Sequence, residues 1–209
     1  MGRTLTDITL IVDRSGSMAS IRDDAEGGIN TFIEGQRSME SDAYLTLVEF
    51  DSSYHFVHRA VPMSDVGPYN LVPRGSTALL DAVGRAIDET DARIAGLSET
   101  ERPGLVIMVI ITDGQENSST EFSRSEIRRM IERQQRLGWQ FTFLAADASA
   151  FSEGASIGIN EGHSARYDKE KTRQVWEFTN NKVRRMRVQL DVGAAIDNQY
   201  TSEELEAMS

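Results

Sequence analysis

Hydrophobic positions along this chain recur with two different periods, one of strands and one of helices. Ile8 to Val12 form a short apolar run. A run of this length, rich in Ile and Val, predicts a strand buried on both faces. Ile21, Ala25, Ile29, Phe32 and Ile33 then recur at helical spacing and predict a helix to about Met39. Ser20-Ile21-Arg22-Asp23 resembles a capping box at its start. Gly27-Gly28 lowers helix propensity, and residues this small are expected to let the helix lie close on the sheet. Residues 43–50 alternate apolar and polar and predict a strand. Asp51-Ser52-Ser53 is a turn, and Tyr54 to Val61 is a hairpin partner. That second arm is polar at His55, His58 and Arg59, as an exposed edge strand should be.

A loop with Pro62, Pro68 and Pro73 follows. Its residues 71–76, LVPRGS, match a thrombin-cleavage sequence; lying mid-chain and running into a helix, they read as native. Ala78 to Leu97 carries Leu79, Leu80, Val83, Ile87, Ile94 and Leu97 at helical spacing. Pro103-Gly104 breaks the chain before Leu105 to Thr112, its most hydrophobic run, which predicts a central strand. A helix beginning at Ser123 or Ser125 and stopped by Gly138 comes next, then a strand from Trp139 to Ala145. A short helix from Phe151 to Ile157, a weak strand from His163 to Tyr167 and a long helix from Lys169 to Leu190 complete the pattern. The acidic stretch after Gly193 is expected to fray or to form a short arm. The division is thus a domain over residues 1–191 and an acidic tail over 192–209. Strands alternating with helices imply right-handed crossovers and a largely parallel sheet with helices on both faces.

Two of the predicted strands end in a carboxylate: Asp13 after the first, Asp113 after the central one. In open sheets of this kind ligands bind beyond the carboxyl ends of the strands. If these strands are neighbours, the two carboxylates meet. Three loops then converge, offering Asp13, Ser15 and Ser17; Thr77; and Asp113. Two carboxylates neutralise a divalent cation, and three hydroxyls add oxygen ligands without charge. Hard oxygens suit Mg²⁺, or Mn²⁺ or Ca²⁺, and a cation so held keeps open positions that a partner's carboxylate can fill. Ser76, beside Thr77, offers the same chemistry. Asp147 falls at the rim, as a helix cap or a supporting group; Glu116 and Asn117 either line the rim or belong to a solvated loop. Glu49 and Asp51 are expected to shape the hairpin turn, the three histidines to be structural or superficial, and Trp139 and Trp176 to pack in the core or at helix edges.

DRSGSM at Asp13–Met18 resembles the Asp-x-Ser-x-Ser signature of the von Willebrand factor A domain. GST at Gly75–Thr77 and ITDG at Ile111–Gly114 resemble its second and third loops. The resemblance extends over about residues 5–191. It implies an α/β, doubly wound, mostly parallel six-stranded sheet of order 3-2-1-4-5-6, with one antiparallel edge strand, and a metal-ion-dependent adhesion site. It also implies that Ser15, Ser17 and Thr77 are direct ligands and that Asp13 and Asp113 act directly or through water. The match is closest to compact intracellular members, which work with AAA+ ATPases or in other assemblies. The resemblance therefore implies a non-enzymatic, metal-dependent module that binds a protein ligand presenting Asp or Glu.

Composition narrows the alternatives. The formal charge of −11 over 209 residues disfavours binding to nucleic-acid phosphate. Two basic clusters, Arg124 to Arg136 and Lys182, Arg184, Arg185 and Arg187, read as solvated helix faces laced with i,i+4 pairs. The absence of cysteine excludes disulfides and thiolate metal sites and fits a reducing, cytoplasmic setting. No stretch approaches the roughly 20 apolar residues of a membrane span. The rival function is a Mg²⁺-dependent hydrolase of the haloacid dehalogenase-like type, which also ends its first strand in aspartate. It needs a carboxylic acid two residues on, where this chain has Ser15. A P-loop, a dinucleotide fingerprint and a nucleophile elbow are all missing.

Overall fold

The computed structural model describes residues 4–146, 148–166 and 172–208; Asp147, Tyr167 and the first residues expected in the long helix lie outside that description. Six strands, β1 (Thr6–Asp13), β2 (Ala43–Phe50), β3 (Tyr54–Pro62), β4 (Leu105–Thr112), β5 (Gln140–Ala145) and β6 (Ser164–Arg166), form one sheet. Their order is β3-β2-β1-β4-β5-β6. β3 runs antiparallel to β2, and the other pairings are parallel. The helices are α1 (Arg22–Arg37), α2 (Leu79–Ala95), α3 (Arg124–Arg136), α4 (Ala148–Ser156), α5 (Thr172–Asp191) and α6 (Ser202–Met208).

The apolar runs of β1 and β4 carry no visible period because both faces of the sheet are covered. Ile8, Leu10 and Val12 of β1, with Leu105, Ile107, Val109 and Ile111 of β4, join the core layer that includes α1 and α5. Ile11, Val106, Met108 and Ile110 join the opposite layer, with α2, α3 and α4. Alternate side chains thus go to different cores, as the strand period requires. At the β3 edge, Ala60 takes φ 48° where the pairing of β2 and β3 shifts register. Its N–H donates to Thr46 Oγ1 at 3.1 Å, which twists the edge away from further pairing.

Three expectations need correction. Ser20 does not cap α1: it lies in a 3-10 turn over Gly16–Ser20, and Ile21 occupies the N-cap without a side-chain bond. The capping box forms instead at Ser123 and Glu126, starting α3. Gly28 brings α1 close to α5 rather than to the sheet, since a Cβ there would stand 2.1 Å from the Trp176 ring. The cluster on α5 is not a solvated face, because Lys182 and Arg187 are buried. Arg187 donates to Gln36 O at 2.8 Å, a carbonyl near the end of α1 that also accepts from Met39 N at 3.4 Å. Of its two expected forms the C-terminal segment takes the second, a short arm laid back on the domain. Asn198 Nδ2 donates to Phe141 O at 2.8 Å, Tyr200 packs over Lys182, and Glu204 pairs with Arg185 at 2.6 Å.

Candidate metal centre

β1 and β4 are adjacent, and Val12 sits opposite Ile111, so the residues after them emerge side by side. Asp13 is fully buried at the tip of β1. Its Oδ1 accepts the Ser15 N–H at 2.7 Å, and its Oδ2 accepts the Thr112 hydroxyl at 2.6 Å. Ser15 Oγ and Ser17 Oγ lie 3.0 Å apart, and Ser17 Oγ donates to Asp113 Oδ1 at 2.8 Å across 96 residues of sequence. Thr77 is buried ahead of α2, and a Cβ at Gly114 would stand 3.5 Å from Thr77 Oγ1 and 3.7 Å from Ser17 Oγ. The structure therefore gathers Asp13, Ser15, Ser17, Thr77 and Asp113 at one end of the sheet. Ser76 points elsewhere in role: it is exposed, and its N–H donates to Ser52 Oγ at 3.2 Å.

Burial pushes the Asp13 carboxyl up to about 6, and the neighbouring Asp113 adds to the rise; bonds from Thr112 and Ser15 pull the other way. An ionised carboxylate taken out of water gains when a cation stands beside it. The linked oxygens of Ser15, Ser17 and Asp113, with Asp13 and Thr77 close by, are of the kind that suits a hard divalent cation. Among the described residues no group of three or more His, Cys, Asp or Glu side chains is placed to hold a metal.

The loops are set by supporting contacts between distant segments. Thr112 orients Asp13; a hydroxyl ending an otherwise aliphatic run was the available signal. Asn117 is exposed but held in place: its Oδ1 accepts the Thr77 N–H at 3.0 Å. Glu116 accepts the Leu80 N–H at 2.9 Å and the N–H groups of Ser118 and Ser119, fixing the third loop on the start of α2. Arg14, inside the first motif, is buried and donates to Glu49 Oε2 at 2.7 Å and to Asp51 Oδ2 at 3.0 Å. Tyr69 donates to Glu49 Oε1 at 2.8 Å. Asp51 shapes the turn as expected, accepting from Ser53 N and Oγ at 2.7 Å, and also joins the first two loops. Those loops run together: Arg74 N donates to Arg14 O at 2.6 Å, and Gly16 N to Gly75 O at 3.1 Å. Gly75 has φ 74°, a conformation that a side chain would strain. A cavity of about 550 Å³ lies at the other end of β5, lined by residues including Trp139, Asn160 and His163, away from these loops.

A scan of family models finds no match, and a search of curated proteins finds none. Solved structures do resemble the chain. The vWF domain of the type V pili tip protein Mfa5 from Porphyromonas gingivalis has a TM-score of 0.63 at 10% identity, covering 94% of this chain and 98% of that one. Proximal thread matrix protein 1 from the mussel byssus, with a zinc-occupied MIDAS motif, has a TM-score of 0.59 at 12% identity over 83% of this chain. The match covers 46% of the byssus protein's length, less than half. Manganese-loaded TRAP protein of Plasmodium vivax has a TM-score of 0.57 at 14% identity, covering 83% and 72%. At these identities the likeness speaks for the fold, and the fold of this chain is that of the von Willebrand factor A domain.

Proposed function

We propose that the chain is a non-enzymatic protein-interaction module that works through a divalent cation, Mg²⁺ or a similar ion, held by Asp13, Ser15, Ser17, Thr77 and Asp113. The observation that carries this reading is the continuous run of oxygens from Ser15 through Ser17 to Asp113, with steps of 3.0 and 2.8 Å. A bound cation would offer an open coordination position to a carboxylate oxygen. The chain's own part is to hold the hydroxyls and keep the charge at two carboxylates. Metal-bound relatives in fold support the choice of a divalent ion. The partner is a protein presenting Asp or Glu; an AAA+ ATPase or another component of a cytoplasmic assembly is the class proposed. No helix among the described residues is long and apolar enough to cross a membrane. The hydrolase alternative gains no support from the geometry, since Ser15 stands where the general acid would be needed.

Calorimetric titration tests this. Mg²⁺ or Mn²⁺ should bind the parent, and Asp13→Ala or Asp113→Ala should weaken binding at least a hundredfold (about 2.7 kcal/mol). Equal binding by both variants would remove the site. Turnover of a generic phosphate ester, lost in Asp13→Asn, would favour the enzyme.

A further inference from the structure

Resting on that reading, we infer that Arg74 is a second anchor for the partner, which is an acidic protein segment carrying two carboxylates at alternate positions. One carboxylate serves the metal site and the next is taken by Arg74. Across loop residues 14–20 and 71–78 the charged side chains are only two, Arg14 and Arg74. Arg14 is buried and spent on Glu49 and Asp51. Arg74 differs: its side chain is 64% exposed, yet it is tethered through Nε to Asp51 Oδ2 at 3.1 Å. Among the described residues Nε is the one side-chain nitrogen of Arg74 with a partner, so both Nη groups remain open to a ligand. A guanidinium held by one edge, with the other free, is already oriented for a carboxylate and loses less rotamer entropy on binding.

Its position fits the same ligand. Arg74 is bonded through its backbone to Arg14, one residue before Ser15. Gly16, Ser17, Gly75 and Ser76 around it are exposed and small, leaving a low surface that an extended peptide can cross. Alternate side chains of such a peptide are about 7 Å apart and face the same way, a span that an arginine beside the site can meet. Acidic character in the partner also complements the only exposed charge on these two loops, in a chain that is otherwise strongly acidic.

The test uses the Mn²⁺-loaded chain and two synthetic peptides, Ac-Gly-Glu-Gly-Glu-Gly-NH₂ and Ac-Gly-Glu-Gly-Gly-Gly-NH₂. Binding is read from Mn²⁺-induced broadening of the peptide proton resonances. The two-acid peptide should bind the parent roughly tenfold tighter, the effect of a charge-assisted bond at a partly exposed site. In Arg74→Gln that preference should vanish, with the one-acid peptide and Mn²⁺ itself bound as by the parent. Equal binding of both peptides by the parent, or a preference that survives Arg74→Gln, overturns the inference while leaving the metal site standing. Failure of the parent to bind Mn²⁺ overturns the metal reading, and this inference with it.

Discussion

Two of the polar clusters among the described residues are built on opposite principles. At the carboxyl ends of β1 and β4, Asp13, Ser15, Ser17 and Asp113 bond to one another at the mouth of three loops. On α5, Lys182 and Arg187 are buried, and Lys182 Nζ and both Arg187 Nη groups donate to the chain's own acceptors, while Arg187 Nε has no partner among the described residues. The first cluster is rich in oxygen and ends at the surface, with Ser17 exposed. The second is rich in nitrogen donors and enclosed, with Lys182 Nζ 3.8 Å from the Tyr200 ring centroid and 2.9 Å from Thr142 Oγ1. Polar burial alone therefore does not mark a functional site. What separates the two is whether the groups still have capacity for something from outside.

Breaking the sealed cluster should cost most. Arg187→Ala removes the side-chain donor to the Gln36 and Ser41 carbonyls and opens a void, and should lower stability by about 3 kcal/mol in urea unfolding. Mn²⁺ affinity of the folded protein should not change. Thr112→Val removes one donor from buried Asp13 and should cost about 2 kcal/mol of stability. Unlike Arg187→Ala, it should also weaken Mn²⁺ binding several-fold; a stability loss alone would make Thr112 purely structural.

Lys182 sharpens the contrast through pH. Burial drives its amine well below the ordinary lysine value, helped by Arg185; Glu204 and Asp197 oppose this. The unfolded chain then binds more protons than the folded one between the two values, so stability rises with pH across that window. The urea midpoint should climb as pH rises toward the ordinary lysine value, over the range before tyrosines ionise. Lys182→Met should flatten that climb. The smallest effect belongs to the surface. Arg128 pairs with Glu132 at 3.0 Å with both side chains largely exposed, and Arg128→Ala should change stability by no more than about 0.5 kcal/mol.

The two basic clusters show how far a sequence can be read. Arg128 and Glu132 form the i,i+4 pair their spacing predicts. Lys182 and Arg187 do not, although their neighbours look equally polar. Whether a lysine on a helix meets water depends on what lies over it, and here residues some fifteen or more positions away, Asn198 to Glu204, fold back over α5. The acidic stretch at the end and the basic helix were both legible; that they pair was not.

At the open end of the sheet the balance is different. Asp13, Ser15, Ser17, Thr77 and Asp113 could be picked out because each lies at a strand or loop end that a local pattern defines, and the parallel order of strands forces those ends together. The supporting contacts could not. Thr112 under Asp13, Asn117 on Thr77, Glu116 on the start of α2, and Arg14 between Glu49 and Asp51 all join segments far apart in sequence. By itself the sequence determined the strands and helices, the two core layers and the oxygen atoms offered at the strand tips, because these follow from period and local chemistry. The tertiary structure alone decided which polar groups are satisfied internally and which keep capacity to bind, because satisfaction of a donor or acceptor is a property of distance and not of sequence position.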